Sequence, residues 1–123
     1  MTIRLTVAVD FDGVLHPYTD GYTGPIPADE PPSPGAHLFL EDLTDQGYRV
    51  VVYSARAASV VGKRAIHDWL LKHGLARHVS DISSFKPVAV AYVDDRAVRF
   101  DGDFARCALE VQRLAEKGHN EPR

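Results

Sequence analysis

Two aspartates one residue apart, Asp10 and Asp12 in Asp10-Phe11-Asp12-Gly13, stand where the apolar run Val7-Ala8-Val9 meets a glycine. In an extended chain alternate side chains share a face, so both carboxylates point to one side if the strand continues. Gly13 allows a sharp bend directly after them. Two carboxylates this close repel each other when both are ionised, so the pair needs a cation, a proton or both. Those are the ingredients of metal-assisted acid-base chemistry. The same residues read equally well as a solvated strand end followed by an Asp-Gly turn. Further polar groups close other apolar runs: Ser54 after the run ending Val51-Val52-Tyr53 and Asp94-Asp95 after Ala89 to Val93, with Lys86 ahead of Pro87.

The elements that must position these residues follow from periodicity. Ile3 to Asp10 is branched and apolar with little interruption after Thr6, as expected for a strand covered on both faces. Ser33-Pro34 reads as a cap and first helical position, after which Ala36, Phe39, Leu40 and Leu43 mark one apolar face until Gly47. Tyr48 to Tyr53 is a second buried strand, and Ser59 to His73 carries Ile66, Trp69 and Leu70 at helical spacing before Gly74. Ile82 marks a short strand and Ala89 to Val93 another, and a last helix opens at Asp103 and runs to about Lys117. This alternation predicts an α/β fold, a three-layer α/β/α Rossmann-like unit around a central parallel sheet. Ligands of such sheets bind at the strand C-terminal ends. Asp10, Ser54 and Asp94-Asp95 all fall on that predicted edge.

A chain of 123 residues, 45% of them hydrophobic, supplies one core and no second. Residues 1–118 therefore read as a single domain without a separate cap, and 119–123 as a loose tail. From His16 to Pro34 the chain is rich in Pro, Gly, Tyr and Thr, too long for a turn, and reads as a flap loop. Its Tyr18 and Tyr22 are candidates for ligand contact, as is His16 beside the first acidic pair. Arg56, two residues after Ser54, reads equally as a leaving-group ligand and as a surface ion-pair partner, whereas Arg96 and Arg99 read as structural. His37, His67, His73 and His78 show neither a zinc-site spacing nor a nucleophile partner. A net charge of -3 gives no ground for general nucleic-acid binding. The single cysteine, Cys107, excludes an intramolecular disulfide and fits a reducing compartment. No stretch reads as a signal peptide, and no apolar run approaches the roughly 20 residues that cross a bilayer. The expectation is a soluble cytoplasmic protein with no membrane partner.

In the order Asp, Asp, Ser, Lys, Asp, Asp, the stretches DFDGVL, VVYSAR, FKP and YVDDRA resemble the four motifs of the haloacid dehalogenase superfamily. The resemblance covers Val7 to about Asp103. It implies a short, capless phosphohydrolase that uses Mg2+. Asp10 would attack phosphorus and carry an aspartyl-phosphate, and Asp12 would protonate the leaving oxygen and then take a proton from the attacking water. Mg2+ would be held by Asp10, the backbone carbonyl of Asp12 and Asp94, with Asp95 acting through water or in Asp94's place. Lys86 would neutralise Asp10 and the phosphoryl oxygens, and Ser54 would donate a hydrogen bond to one of them. The implied partner is a phosphorylated substrate: a small metabolite, a nucleotide, a sugar phosphate, a 3′-phosphate end or a phosphoprotein. A homo-oligomer is compatible and would supply a cap in trans. Three alternatives stand beside this. A receiver domain needs its phosphoacceptor aspartate at the end of a middle strand, where this chain has Ser54. A dehalogenase needs no metal and no acid at position 12. A catalytically silent binding module would keep the scaffold alone.

Overall fold

The apolar run at the N-terminus forms strand β1 (Thr6–Asp10) inside a four-stranded parallel sheet in the computed structural model, which describes residues 4–118. β2 (Arg49–Tyr53) and then β3 (Asp81–Ser83) lie on one side of it, and β4 (Ala91–Val93) lies on the other. The register pairs Val9 with both Val52 and Val93, so three strands end at one level, with Asp10 opposite Tyr53 and Asp94 following Val93. The α/β fold with a parallel sheet is thus present as the alternation predicts.

Strand alternation decides what each face buries. Val7, Val9, Val50, Val52 and Ile82 pack with Leu40 and Leu43 of helix α1 (Ala36–Asp45) and with Ile66, Trp69 and Leu70 of helix α2 (Val60–Lys72). Full burial of a side chain of this size contributes about 1.5–3 kcal/mol. Phe11 carries the same core past the end of β1 and meets the Trp69 ring edge-on at 5.1 Å. Ala8, Val51, Asp10 and Tyr53 take the opposite side by parity, and all four are buried. Helix α3 (Phe104–Lys117) is capped by the Asp103 side chain, which accepts from the Arg106 N–H, yet it buries none of its residues.

Several boundaries differ from the sequence expectation. α1 begins at Ala36 rather than at Ser33-Pro34, because Gly35 takes φ 85°, a left-handed conformation that interrupts any helix there, and no side chain caps the start. Phe39, expected on the buried face, is 38% exposed, whereas Ala36, Leu40 and Leu43 are buried. β1 starts at Thr6, where its pairing with Arg49 begins, and not at Ile3, which lies outside the described residues. β4 is shorter than Ala89 to Val93, although the Val90 N–H still donates to the Thr6 carbonyl at 2.9 Å. α2 is close to its expected span and opens on Ser59, whose side chain accepts from the Gly62 N–H.

Segment 16–34 contains no helix or strand but is fastened to the body. Trp69 Nε1 donates to the Glu30 carbonyl at 3.0 Å, the Ser33 N–H to the Leu15 carbonyl at 2.9 Å, and Lys72 pairs with Asp29 at 2.6 Å. Among the described residues no helix is long and apolar enough to cross a membrane. The expected tail, 119–123, lies outside the described residues.

Candidate functional site

β1 leads through α1 to β2 on one side, while the chain reaches β4 on the other side only after β3. The C-terminal ends of β1 and β4 therefore flank the crevice where open parallel sheets bind ligands. Asp10, Asp94 and Asp95 meet there, one oxygen of each within 4.8 Å of the others. Asp10 is 3% exposed, and its Oδ1 is buried without a hydrogen-bond partner. Burial pushes its carboxyl up from 3.8 to about 8, reinforced by repulsion from Asp94, from Asp95 and, least, from Asp12, and opposed by the Phe11 N–H. An orphaned buried oxygen facing two more carboxylates fits a hard divalent cation, which would relieve both the desolvation and the repulsion. Such an all-oxygen set suits Mg2+, Ca2+ and Mn2+ alike.

Asp94 is supported by the chain itself. The Tyr53 hydroxyl donates to its Oδ2 at 2.5 Å, the Arg96 N–H to its Oδ1 at 2.8 Å, and Lys86 Nζ stands 3.2 Å from Oδ2. Burial works to raise this carboxyl, but the three donors outweigh it and hold the group below the usual carboxylate range. Burial, and then the Asp94 acceptor, push the Tyr53 phenol well above its ordinary value, so it remains a donor.

Asp12 turns the other way. β1 stops at Asp10, Gly13 bends the chain at φ 83°, and Asp12 forms an isolated bridge with His16. Its carboxylate is fully buried and accepts from Arg56 Nε at 3.0 and 3.1 Å and from Ser54 Oγ at 3.1 Å. The Arg56 N–H donates back to Ser54 Oγ at 3.1 Å, closing a ring of contacts. A 3-10 turn, Ala55–Ala58, capped by Ser54, aims Arg56 inward. α2 packs so close behind this turn that a Cβ on Gly62 would lie 2.0 Å from the Arg56 carbonyl oxygen. The guanidinium also reaches the flap: Nη1 donates to the Gly24 carbonyl, and the group lies 5.1 Å from the centroid of the Tyr22 ring. Its Nη2 is buried and has no partner.

The remaining sequence candidates fall as follows. Lys86 is half-exposed, pairs with Asp94, and lies over the Tyr53 and Tyr92 rings at 5.7 and 5.4 Å; among the described residues its ion pair is not with Asp10. His16 is 2% exposed and packed against Phe11 and Trp69. Its Nδ1 accepts from the Tyr18 N–H at 3.0 Å and its Nε2 lies 2.7 Å from the Ala28 carbonyl, so both ring nitrogens organise the loop. Tyr18 is buried at φ 61°, and only Tyr22 presents an exposed ring. Tyr53, the phenol on Asp94, was not among the candidates. Parity could have found it, since it pairs with Asp10 across the sheet and shares its face. No family model matches the chain, and neither a curated protein nor a solved structure does.

Proposed function

We propose that this chain is a Mg2+-dependent phosphomonoester hydrolase of the haloacid dehalogenase type, a capless three-layer Rossmann-like unit. The observation that carries the reading is the buried, unpartnered Oδ1 of Asp10 facing Asp94 and Asp95 at the end of a central strand. The cluster calls for a cation, and Asp10 keeps an oxygen free for a reacting atom. A cation bound there offsets the charge that otherwise keeps an anionic phosphate away from a carboxylate.

Asp10 forms a bond to phosphorus as the ester P–O bond breaks, and the leaving oxygen takes a proton from Asp12. In the second half Asp12 accepts a proton from water, the water oxygen bonds to phosphorus, and the Asp10–phosphorus bond breaks to release inorganic phosphate. For the first transfer Asp12 must leave Arg56 and take up a proton from solvent, for the second it must face water, and Ser54 must exchange Asp12 for a phosphoryl oxygen. Lys86 and Tyr53 keep Asp94 ionised and placed. The reading covers small phosphorylated metabolites, nucleotides and 3′-phosphate ends in the cytoplasm.

Incubation with an activated aryl phosphate and Mg2+ tests it. Turnover is expected, lost to chelator and to Asp10→Asn. Absence of turnover would favour the binding-module alternative, and turnover indifferent to chelator or to Asp10→Asn would sink the mechanism.

A further inference from the structure

Two histidines that spacing alone separates are neighbours in the fold. His37 and Glu41 stand one helical turn apart on α1, with His37 Nδ1 3.7 Å from Glu41 Oε2. His78 ends the 3-10 turn Ala76–His78 that follows α2, and its ring lies 5.5 Å from that of His37, at 82° to it. One nitrogen or oxygen from each of the three residues lies within 4.8 Å of the others. We propose that His37, Glu41 and His78 form a zinc site of two imidazoles and one carboxylate, with the fourth position left to water.

Two contacts around the cluster support this assignment. The Thr44 hydroxyl donates to the Leu40 and Glu41 carbonyls at 3.1 and 3.0 Å, so in its 3.1 Å contact with His78 Nδ1 the imidazole N–H is the donor. That bond leaves Nε2 of His78 with its lone pair, and a hydrogen bond to the far nitrogen is how metal-binding imidazoles are oriented. Arg77 supplies the second observation. Its Nε donates to His78 Nε2 at 3.2 Å, and its Nη2 lies 3.5 Å from His37 Nε2. A cation already sits where the two imidazoles converge, on an exposed side chain that can swing away.

The ligand atoms must draw closer than they stand now, because zinc binds nitrogen and oxygen at about 2.0–2.2 Å. The side chains of His37 and Glu41 are 44% and 43% exposed, which leaves them room to do so. Imidazoles select zinc over magnesium, whereas the carboxylates at Asp10 accept either ion, so zinc binding at the two clusters must be separated by experiment. Zinc bound here would join α1 to the turn after α2 and stabilise the folded chain by mass action.

Titration calorimetry with zinc chloride tests the site in the full chain and in an Asp10→Asn, Asp94→Asn double variant that removes the acidic cluster. One zinc ion per chain is expected in the double variant, with affinity at least about tenfold weaker when His37→Gln or His78→Gln is added to it. Arg77→Ala should bind more tightly, because the competing cation is gone. Zinc should raise the melting temperature of the double variant and no longer do so once His78→Gln is added. Circular dichroism checks that each variant is folded, and His37→Gln carries the test if His78→Gln is not. Two results would overturn the proposal: no zinc binding by the double variant, or binding undiminished when either histidine substitution is added to it.

Discussion

Asp10 and Asp12 are two residues apart and both almost wholly buried, at 3% and 0% exposure, yet their surroundings are opposite. Asp12 has a guanidinium and a hydroxyl supplied by the chain. Asp10 faces two more carboxylates, keeps an oxygen without a partner, and is pushed up to about 8. Burial is common to both, so it does not explain the difference; the partners do. One carboxylate is compensated within the fold, and the other is left for something that the fold does not contain. A site with one carboxylate compensated by the chain and one lacking a counter-charge has the asymmetry expected where a ligand completes the electrostatics.

The most severe way to break the contrast is to remove the compensation at Asp12. Arg56→Ala would leave a buried carboxylate unpaired, and breaking a buried ion pair from one side costs about 3–5 kcal/mol. Urea denaturation should show that loss as a lower midpoint at unchanged slope. Replacing both partners, Asp12→Asn with Arg56→Met, should recover much of it, because no charge then remains buried. A loss below about 1 kcal/mol for Arg56→Ala would put the pair on the footing of a surface salt bridge and erase the difference between the two aspartates.

Asp10 makes the complementary prediction through pH. Its carboxyl stands at 3.8 in the unfolded chain and at about 8 in the fold. Between those values the folded state holds a proton that the unfolded state has released. The stabilising contribution is therefore complete below the unfolded value, and the metal-free protein loses it as pH rises toward 8. A divalent cation competes with that proton, so Mg2+ should raise the melting temperature more at about pH 8 than at about pH 6. Asp10→Asn should flatten the metal-free pH slope, abolish the Mg2+ response and, without metal, stabilise the protein by about 0.5–2 kcal/mol near neutrality. Thermal unfolding with and without chelator at the two pH values reads all three. A metal-free stability that rises with pH across this window would assign the dominant titration to another group.

The edge that gathers Asp10, Ser54 and Asp94 is legible in the sequence because β1, β2 and β4 are short apolar runs, each closed by a polar residue. Where β1 stops is not. Period-two alternation puts Asp12 beside Asp10 only if the strand reaches residue 12, and the left-handed Gly13 instead turns it toward Arg56, a contact 44 residues away that no spacing rule encodes. The even choice left at Arg56, ligand or surface ion pair, has a third answer in a buried pair with Asp12. His37 and His78 lack zinc-site spacing for the same reason, since packing of α1 against the turn after α2 brings them together, not the chain between them. Ser33-Pro34 carries a helix-start signal that the left-handed Gly35 overrides.

The smallest effect concerns Tyr53, which belongs to the Asp10 side by register but acts on Asp94. Tyr53→Phe removes one donor from a carboxylate that keeps Lys86 and the Arg96 N–H, so the cost should be about 0.5–1.5 kcal/mol. The variant should also move Asp94 upward, because the phenol is the first of the groups that hold that carboxyl down against burial. Carbon-detected NMR titration separates the carboxylates: Asp94 should shift, while the Arg56 Nε–H resonance beside Asp12 should not. An unmoved Asp94 would mean that Lys86 and the backbone amide suffice, leaving the phenol as a packing neighbour. A moved Arg56 resonance would mean that the Tyr53–Asp94 contact reaches the Asp12 network, which shares no hydrogen bond with it.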